Sequence, residues 1–223
     1  MGKHKIRLVP KRRAVFLDRD GVLDALVLNA ERNDYEPPHK PEELTILPGV
    51  ISSLKRLQAE GYSLFLVSNQ PDYALGKTKM GALKLVHTEF ARIMRRGGVQ
   101  FKKYYYCYHH PNGVVPRYSF ECDCRKPKPF FLIKSSTDYN IDLSASWMIG
   151  DTDKDIGSGK AAGVRTILLD YELSSKQRIS STPDYEAKDL NEAVDIIFYI
   201  NLKEDRTYGE QNEIQSETFR RRS

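Results

Sequence analysis

The chain has 223 residues, 40% of them hydrophobic, with 35 Lys and Arg against 30 Asp and Glu. That length holds one ample core with room for a small insertion, and the composition is that of an ordinary soluble protein. No apolar stretch approaches the roughly eighteen residues of a membrane span, and the start lacks the apolar region of a secretory signal, so cytoplasm is the default expectation.

In chain order, residues 1–13 form a basic arm with six Lys or Arg and no acid. The remaining 29 basic residues face all 30 acids, so the body is near neutral and nucleic acid is not an expected partner. Ala14 to Asp18 is an apolar run with polar residues after it, which predicts a buried strand. Residues 48–60 predict a helix, with Val50, Ile51, Leu54 and Leu57 on one face and Gly61 as stop. Tyr62 to Val67 predicts a strand. Residues 79–96 predict a helix with Leu83, Val86, Phe90 and Ile93 inward.

A strand is expected at 101–108, a helix at 128–140, a strand at 147–149, a helix at 153–162 and a strand at 164–169. Within 101–108, Tyr104, Tyr105, Tyr106 and Tyr108 read as alternating core and solvent positions rather than a base-stacking platform. An amphipathic helix at 189–202 closes the domain, which spans 14–202. Residues 203–223 read as a flexible polar tail. Alternating strands and helices argue for an α/β fold with a mainly parallel sheet and helices on both faces, a three-layer sandwich. Gly157-x-Gly159-x-x-Ala162 resembles a dinucleotide fingerprint. It lacks the strand–turn–helix context, and close packing of the helix on the sheet explains it better.

Three polar stretches sit where predicted strands end: Asp18 with Asp20, Ser68-Asn69-Gln70, and Gly150-Asp151. Ligands of an open parallel sheet bind beyond the carboxyl ends of the strands, so these stretches should converge. Asp18 and Asp20, two apart in extended geometry, point the same way. A divalent cation relieves their repulsion, and with Asp151 the all-oxygen set favours Mg²⁺. The chemistry expected is phosphoryl transfer. Asp18 is the nucleophile, Asp20 the general acid and base, Ser68 a donor to a phosphoryl oxygen, and Lys126 the neutraliser of developing charge. Arg125 would fork onto a second anionic or hydroxyl-rich part of the substrate.

Cys107-x-His109 and Cys122-x-Cys124 use every cysteine in the chain. Three thiolates and one imidazole fill a tetrahedral Zn²⁺ shell with no open position, so the zinc should be structural and hold Arg125 and Lys126 in place. His110 is the rival ligand, and the symmetric spacing favours His109.

The stretches FLDRDGVL (16–23), VSNQ (67–70), RKPKP (125–129) and GDTDKD (150–155) resemble the haloacid dehalogenase superfamily of phosphohydrolases. CYHHPNG (107–113) with CDCRKPKP (122–129) is similar to the D-glycero-D-manno-heptose 1,7-bisphosphate 7-phosphatases and their histidinol-phosphatase relatives. The resemblance implies a Rossmann-like core without a large cap domain. It implies Mg²⁺ on Asp18, the main-chain carbonyl of Asp20, and Asp151, and zinc on Cys107, His109, Cys122 and Cys124. Substrate recognition would fall to Arg125 and the turn Ser68, Asn69 and Gln70, with Lys126 steadying the phosphoryl group. The implied substrate is a small phosphorylated sugar, a heptose bisphosphate, hydrolysed by a monomer. Histidinol phosphate is the alternative substrate, and a zinc-stabilised nucleic-acid module the non-enzymatic alternative. Pro71-Asp72, Leu75-Gly76, Phe130, Thr152 and a long stretch at 24–47 depart from the usual family pattern, on the side that would meet the sugar.

Overall fold

The computed structural model describes residues 10–204. Most of the basic arm and residues 205–223 of the expected tail lie outside the described residues. Six strands form one parallel sheet in the order β5-β4-β1-β6-β7-β8: β1 (Ala14–Leu17), β4 (Ser63–Asn69), β5 (Phe101–Cys107), β6 (Trp147–Gly150), β7 (Arg165–Leu169) and β8 (Tyr185–Ala187). β1 lies at the centre, with Val15 in register with Leu64 on one side and Trp147 on the other.

Side-chain alternation sorts the sheet into two faces. Val15 and Leu17 of β1 join one core with Leu64, Leu66 and Ile149, while Ala14 and Phe16 join another with Phe65, Val67 and Met148. The first core is covered by α1 (Val50–Ala59), α2 (Met80–Arg96) and α5, which runs over 190–204 within the described residues. α2 buries Leu83, Val86, Phe90 and Met94, one stripe at three- and four-residue spacing. Each such side chain, taken out of water, contributes about 1.5–3 kcal/mol. α3 (Phe130–Tyr139) packs Leu132 onto the opposite face, with α4 (Asp153–Ala162) beside it. Three layers result, as expected.

Gly159 explains the decoy motif. A Cβ there would stand 2.6 Å from Thr166 and 2.9 Å from Met148, so the glycine lets α4 press onto β6 and β7. The tyrosines of β5 divide by parity. Tyr104 packs on Phe90 and Phe101, and Tyr105 stacks on Phe131 across the sheet.

Three features were not anticipated. Residues 24–47 carry a small antiparallel hairpin, β2 (Val27–Asn29) with β3 (Asp34–Glu36). β8 adds a sixth strand of three residues, too short and too polar to show as an apolar run. α1 starts at Val50, after Gly49 in a left-handed conformation, so Pro48 precedes the helix and is not in its first turn.

Candidate active site

All six strands run the same way, so the carboxyl ends of β1, β4, β5 and β6 open on one edge. Asp18 follows β1, Asn69 ends β4, Cys107 ends β5 and Asp151 follows β6. The chain departs from β1 in both directions along the sheet, the switch point at which such folds hold ligands. A cleft of about 290 Å³ opens there, lined by Asp18, Asp20, Asn69, Arg125, Lys126 and Asp151, with the hairpin as a further wall.

Two glycines permit the crowding. Gly21 has φ +79°, and a Cβ on it would lie 2.2 Å from Asp151 Oδ2. A Cβ on Gly150 would sit 2.0 Å from the Asp155 Cβ. The acidic stretches can approach only because both positions lack a side chain.

Lys126 is buried and places its ammonium 2.8 Å from Asp18 Oδ1 and 2.5 Å from Asp155 Oδ1, and donates to the Val67 carbonyl at 2.7 Å. Its backbone is held by Asn69, whose amide accepts from Lys126 N and donates to Lys126 O, both at 3.1 Å. Asn69 therefore clamps the lysine as well as lining the cleft.

Burial pushes the Asp18 carboxyl up to about 7 against the opposing charge of Lys126. Burial, with Asp155 and Asp18 close by, also raises Asp151 well above the carboxylate range. Asp18, Asp151 and Asp155 can each offer an oxygen within 4.8 Å of the other two. Asp155 uses Oδ1 on Lys126 and Oδ2 on the Thr152 hydroxyl and amide. Asp151 Oδ1, by contrast, is buried with no hydrogen-bond partner. A buried carboxylate oxygen without a donor, beside a second raised carboxylate, is the chemistry of a site built for a hard cation.

Asp20 is oriented from two sides. Arg19 donates to Oδ1 from Nη2 at 2.6 Å and from Nε at 3.1 Å. Oδ2 accepts from Gln70 Nε2 and, at 3.4 Å, from Ser68 Oγ. Arg19 is itself buried and also pairs with buried Asp24 at 3.3 Å. Ser68 and Gln70 stand behind Asp20, and neither lines the cleft wall.

The thiol and imidazole groups also converge. Cys107 Sγ lies 3.5 Å from Cys122 Sγ and 3.8 Å from His109 Nδ1, and Cys124 Sγ lies 3.4 Å from both Cys122 Sγ and His109 Nδ1. These separations are too long for a disulfide. They approach the edge of about 3.8 Å that a Zn–S tetrahedron requires. The hydrogen bond from Cys124, more than any other contact, pulls the Cys107 thiol down to about 5, against burial. His110 instead accepts from the Asn112 amide at 3.1 Å and is not part of the cluster. The His109 ring packs between Tyr118 and Phe120, and Arg125, next to Cys124, donates to the His109 carbonyl at 3.2 Å.

The chain is 37% identical over 156 residues to the D-glycero-beta-D-manno-heptose-1,7-bisphosphate 7-phosphatase of Vibrio cholerae, an alignment covering 70% of this chain and 80% of that protein. It belongs to that phosphatase family. The family's counterpart in Haemophilus ducreyi is 34% identical over 192 residues, 85% of this chain and 99% of the relative. The Photorhabdus laumondii relative, 32% identical over 71% of this chain and 82% of its own length, carries the alpha-anomer name. A family model described as HAD-hyrolase-like matches residues 123–193. Among solved structures, the D,D-heptose 1,7-bisphosphate phosphatase of B. bronchiseptica, determined with magnesium and phosphate, matches with TM-score 0.68. It is 23% identical, over 84% of this chain and 98% of that one, a likeness that speaks to the fold. The chain is thus a phosphatase with the haloacid dehalogenase fold.

Sequence reasoning did not assign Asp155, Arg19 or Asp24. Asp155 lies four residues after Asp151, as the third residue of α4, and that spacing was the available signal. Arg19 and Asp24 carried none, since pairing between a buried guanidinium and a carboxylate five residues on depends on the fold of the 18–24 turn.

Proposed function

We propose that this phosphatase removes the 7-phosphate of D-glycero-D-manno-heptose 1,7-bisphosphate, a step toward nucleotide-activated heptose. The names of its relatives support the substrate. The observation that carries the mechanism is the single cleft in which Asp18, Asp20, Lys126 and Asp151 meet.

An oxygen of Asp18 attacks phosphorus and the bond to the sugar oxygen breaks, leaving an aspartyl-phosphate. Asp20 protonates the departing alcohol and then takes a proton from the water that attacks the same phosphorus. The bond to Asp18 breaks, inorganic phosphate leaves, and both carboxylates return to their starting states. Lys126 offsets charge on the phosphoryl oxygens, with Asp155 and Asn69 keeping its ammonium in place. Ser68 and Gln70 hold Asp20 by hydrogen bonds, while Asn69 is the member of that turn that lines the cleft.

Asp18, Asp151 and the main-chain carbonyl of Asp20 would hold Mg²⁺. When bound it would supply positive charge for the dianionic phosphoryl group. Cys107, His109, Cys122 and Cys124 would hold Zn²⁺ as a structural ion that fixes the loop leading into Arg125 and Lys126. Such a thiolate site suits a reducing cytoplasm.

Steady-state kinetics with heptose 1,7-bisphosphate, other sugar phosphates and histidinol phosphate, with Mg²⁺ and with chelator, test the assignment. The bisphosphate should lead the series by at least about tenfold in kcat/KM, and chelator should abolish turnover. Uniformly slow rates would discard the substrate. Asp18→Asn should remove turnover while fold and zinc content persist, and normal activity in that variant would discard the mechanism.

A further inference from the structure

The cations beside the cleft are each shared by two carboxylates. The Lys126 ammonium joins Asp18 of the cleft to Asp155. In the same manner the Arg19 guanidinium joins Asp20 of the cleft, at 2.6 Å, to Asp24, at 3.3 Å. Arg19 and Asp24 are both buried, and neither lines the cleft.

Asp24 is costly where it stands. Its two carboxylate oxygens are buried without a hydrogen-bond donor, and its ion pair among the described residues is with Arg19. An uncharged side chain of the same size would avoid that cost, so the charge calls for a reason beyond packing. The backbone of the turn points to Arg19 as well. The amides of Val22, Leu23 and Asp24 all donate to the Arg19 carbonyl, at 3.2, 2.7 and 3.1 Å, and the Gly21 amide donates to the Asp24 carbonyl at 2.8 Å. Arg19 is thus fixed through its main chain and at the end of its side chain. From that position two of its N–H groups fork onto Asp20 Oδ1, at 2.6 and 3.1 Å. The Asp20 carboxyl cannot rotate without breaking both bonds. A proton on Oδ1 would face those donors, so the proton that Asp20 delivers belongs on Oδ2, the oxygen beside Ser68 and Gln70.

We propose that Arg19 and Asp24 form a buried strut that fixes the Asp20 carboxyl for proton transfer to the leaving sugar oxygen. Asp24 does for Arg19 what Asp155 does for Lys126. The proposal deepens the mechanism above and rests on Asp20 as its general acid. As Asp18 bonds to phosphorus, the bond from phosphorus to the sugar oxygen breaks with its electron pair on that oxygen, and the proton on Asp20 Oδ2 passes to it. Arg19 and Asp24 are positioning residues: they act through Asp20 alone, so their loss should be felt where a proton must be delivered.

The test uses the metal-loaded full chain and two esters: the best sugar phosphate of the series above, and p-nitrophenyl phosphate, whose phenolate leaves without a proton. The comparison is made in kcat/KM, which ends at phosphoryl transfer to Asp18, so the hydrolysis step common to both esters drops out. Asp24→Asn keeps the shape and removes the charge. It should lower kcat/KM on the sugar phosphate about tenfold while changing that on p-nitrophenyl phosphate less than about twofold. Arg19→Lys keeps a buried cation without the fork and should show the same imbalance, which carries the test should Asp24→Asn fail to fold. Asp20→Asn is the reference and should show the imbalance more strongly. Equal losses on both esters, or no loss on either, in the folded strut variants overturn the strut. If Asp20→Asn still shows the imbalance, the general acid stands and the strut alone falls. Equal losses in Asp20→Asn itself remove the general acid and the strut together.

Discussion

Lys126 stands nearer to Asp155 than to Asp18, at 2.5 Å against 2.8 Å. All three groups are buried or nearly so. One ammonium thus serves two carboxylates, and Asp155 anchors it beside Asp18. Asp155 is further tied to the start of α4 through Thr152. The helix, the lysine and the nucleophile form one rigid chain of contacts.

Asp155→Ala should therefore be costly. It strands a buried ammonium and removes the α4 cap, an expected loss of about 3–5 kcal/mol. Urea unfolding measures it. Asp155→Asn keeps the shape and should lose less stability, while kcat falls by about tenfold or more as the lysine drifts toward Asp18. Unchanged kcat in Asp155→Asn would show that Lys126 needs no second anchor.

The carboxylate cluster predicts a link between metal, pH and stability. Asp18 keeps its proton up to about 7 when folded, whereas the unfolded chain releases it near 3.8. The stability contributed by the protonated carboxyl is complete below the unfolded value and is lost as pH rises through about 7. A divalent cation binds the deprotonated form, so its stabilising effect grows over the same window. Thermal unfolding with and without Mg²⁺ should show a larger rise in Tm at about pH 7.5 than at about pH 5. Equal shifts at both would mean that Asp18 titrates normally.

The cysteine cluster predicts one zinc per chain. Cys122→Ser should lose the metal, measured by elemental analysis, and should raise KM more than it changes the secondary structure, because Arg125 follows directly on Cys124. Strong chelation of the wild type should do the same. A zinc-free wild type with full activity would reduce the cluster to packing.

His39 on Asp72 and Lys77 on Glu36 tie the hairpin to the loop after β4. The Asp72 carboxyl lies below its ordinary range because the His39 hydrogen bond and the Lys77 charge outweigh burial. His39→Ala should free residues 27–36, seen as faster amide exchange there, and raise KM severalfold with kcat nearly kept. Uniform changes in exchange across the sheet would point to general destabilisation.

The chemistry was legible wherever one short stretch carried its own constraint. Asp18-x-Asp20 after an apolar run, Cys107-x-His109 with Cys122-x-Cys124, and Arg125-Lys126 are local patterns, and the structure brings each set together at one sheet edge. Strand and helix positions were readable for the same reason, since the apolar period of β1 or α2 is a property of a few neighbouring residues. β8 and the hairpin escaped because three-residue strands have no period to read.

The amino-acid order alone determined the alternating strands and helices, the acidic pair and the tetrad of soft ligands, since each depends on spacing along the chain. Only the tertiary structure decided that Asp155 holds Lys126 and that Arg19 and Gln70 clasp Asp20. Those relations join residues on separate elements. Their distances follow from how the layers pack and where glycines allow close approach, quantities that no local pattern encodes.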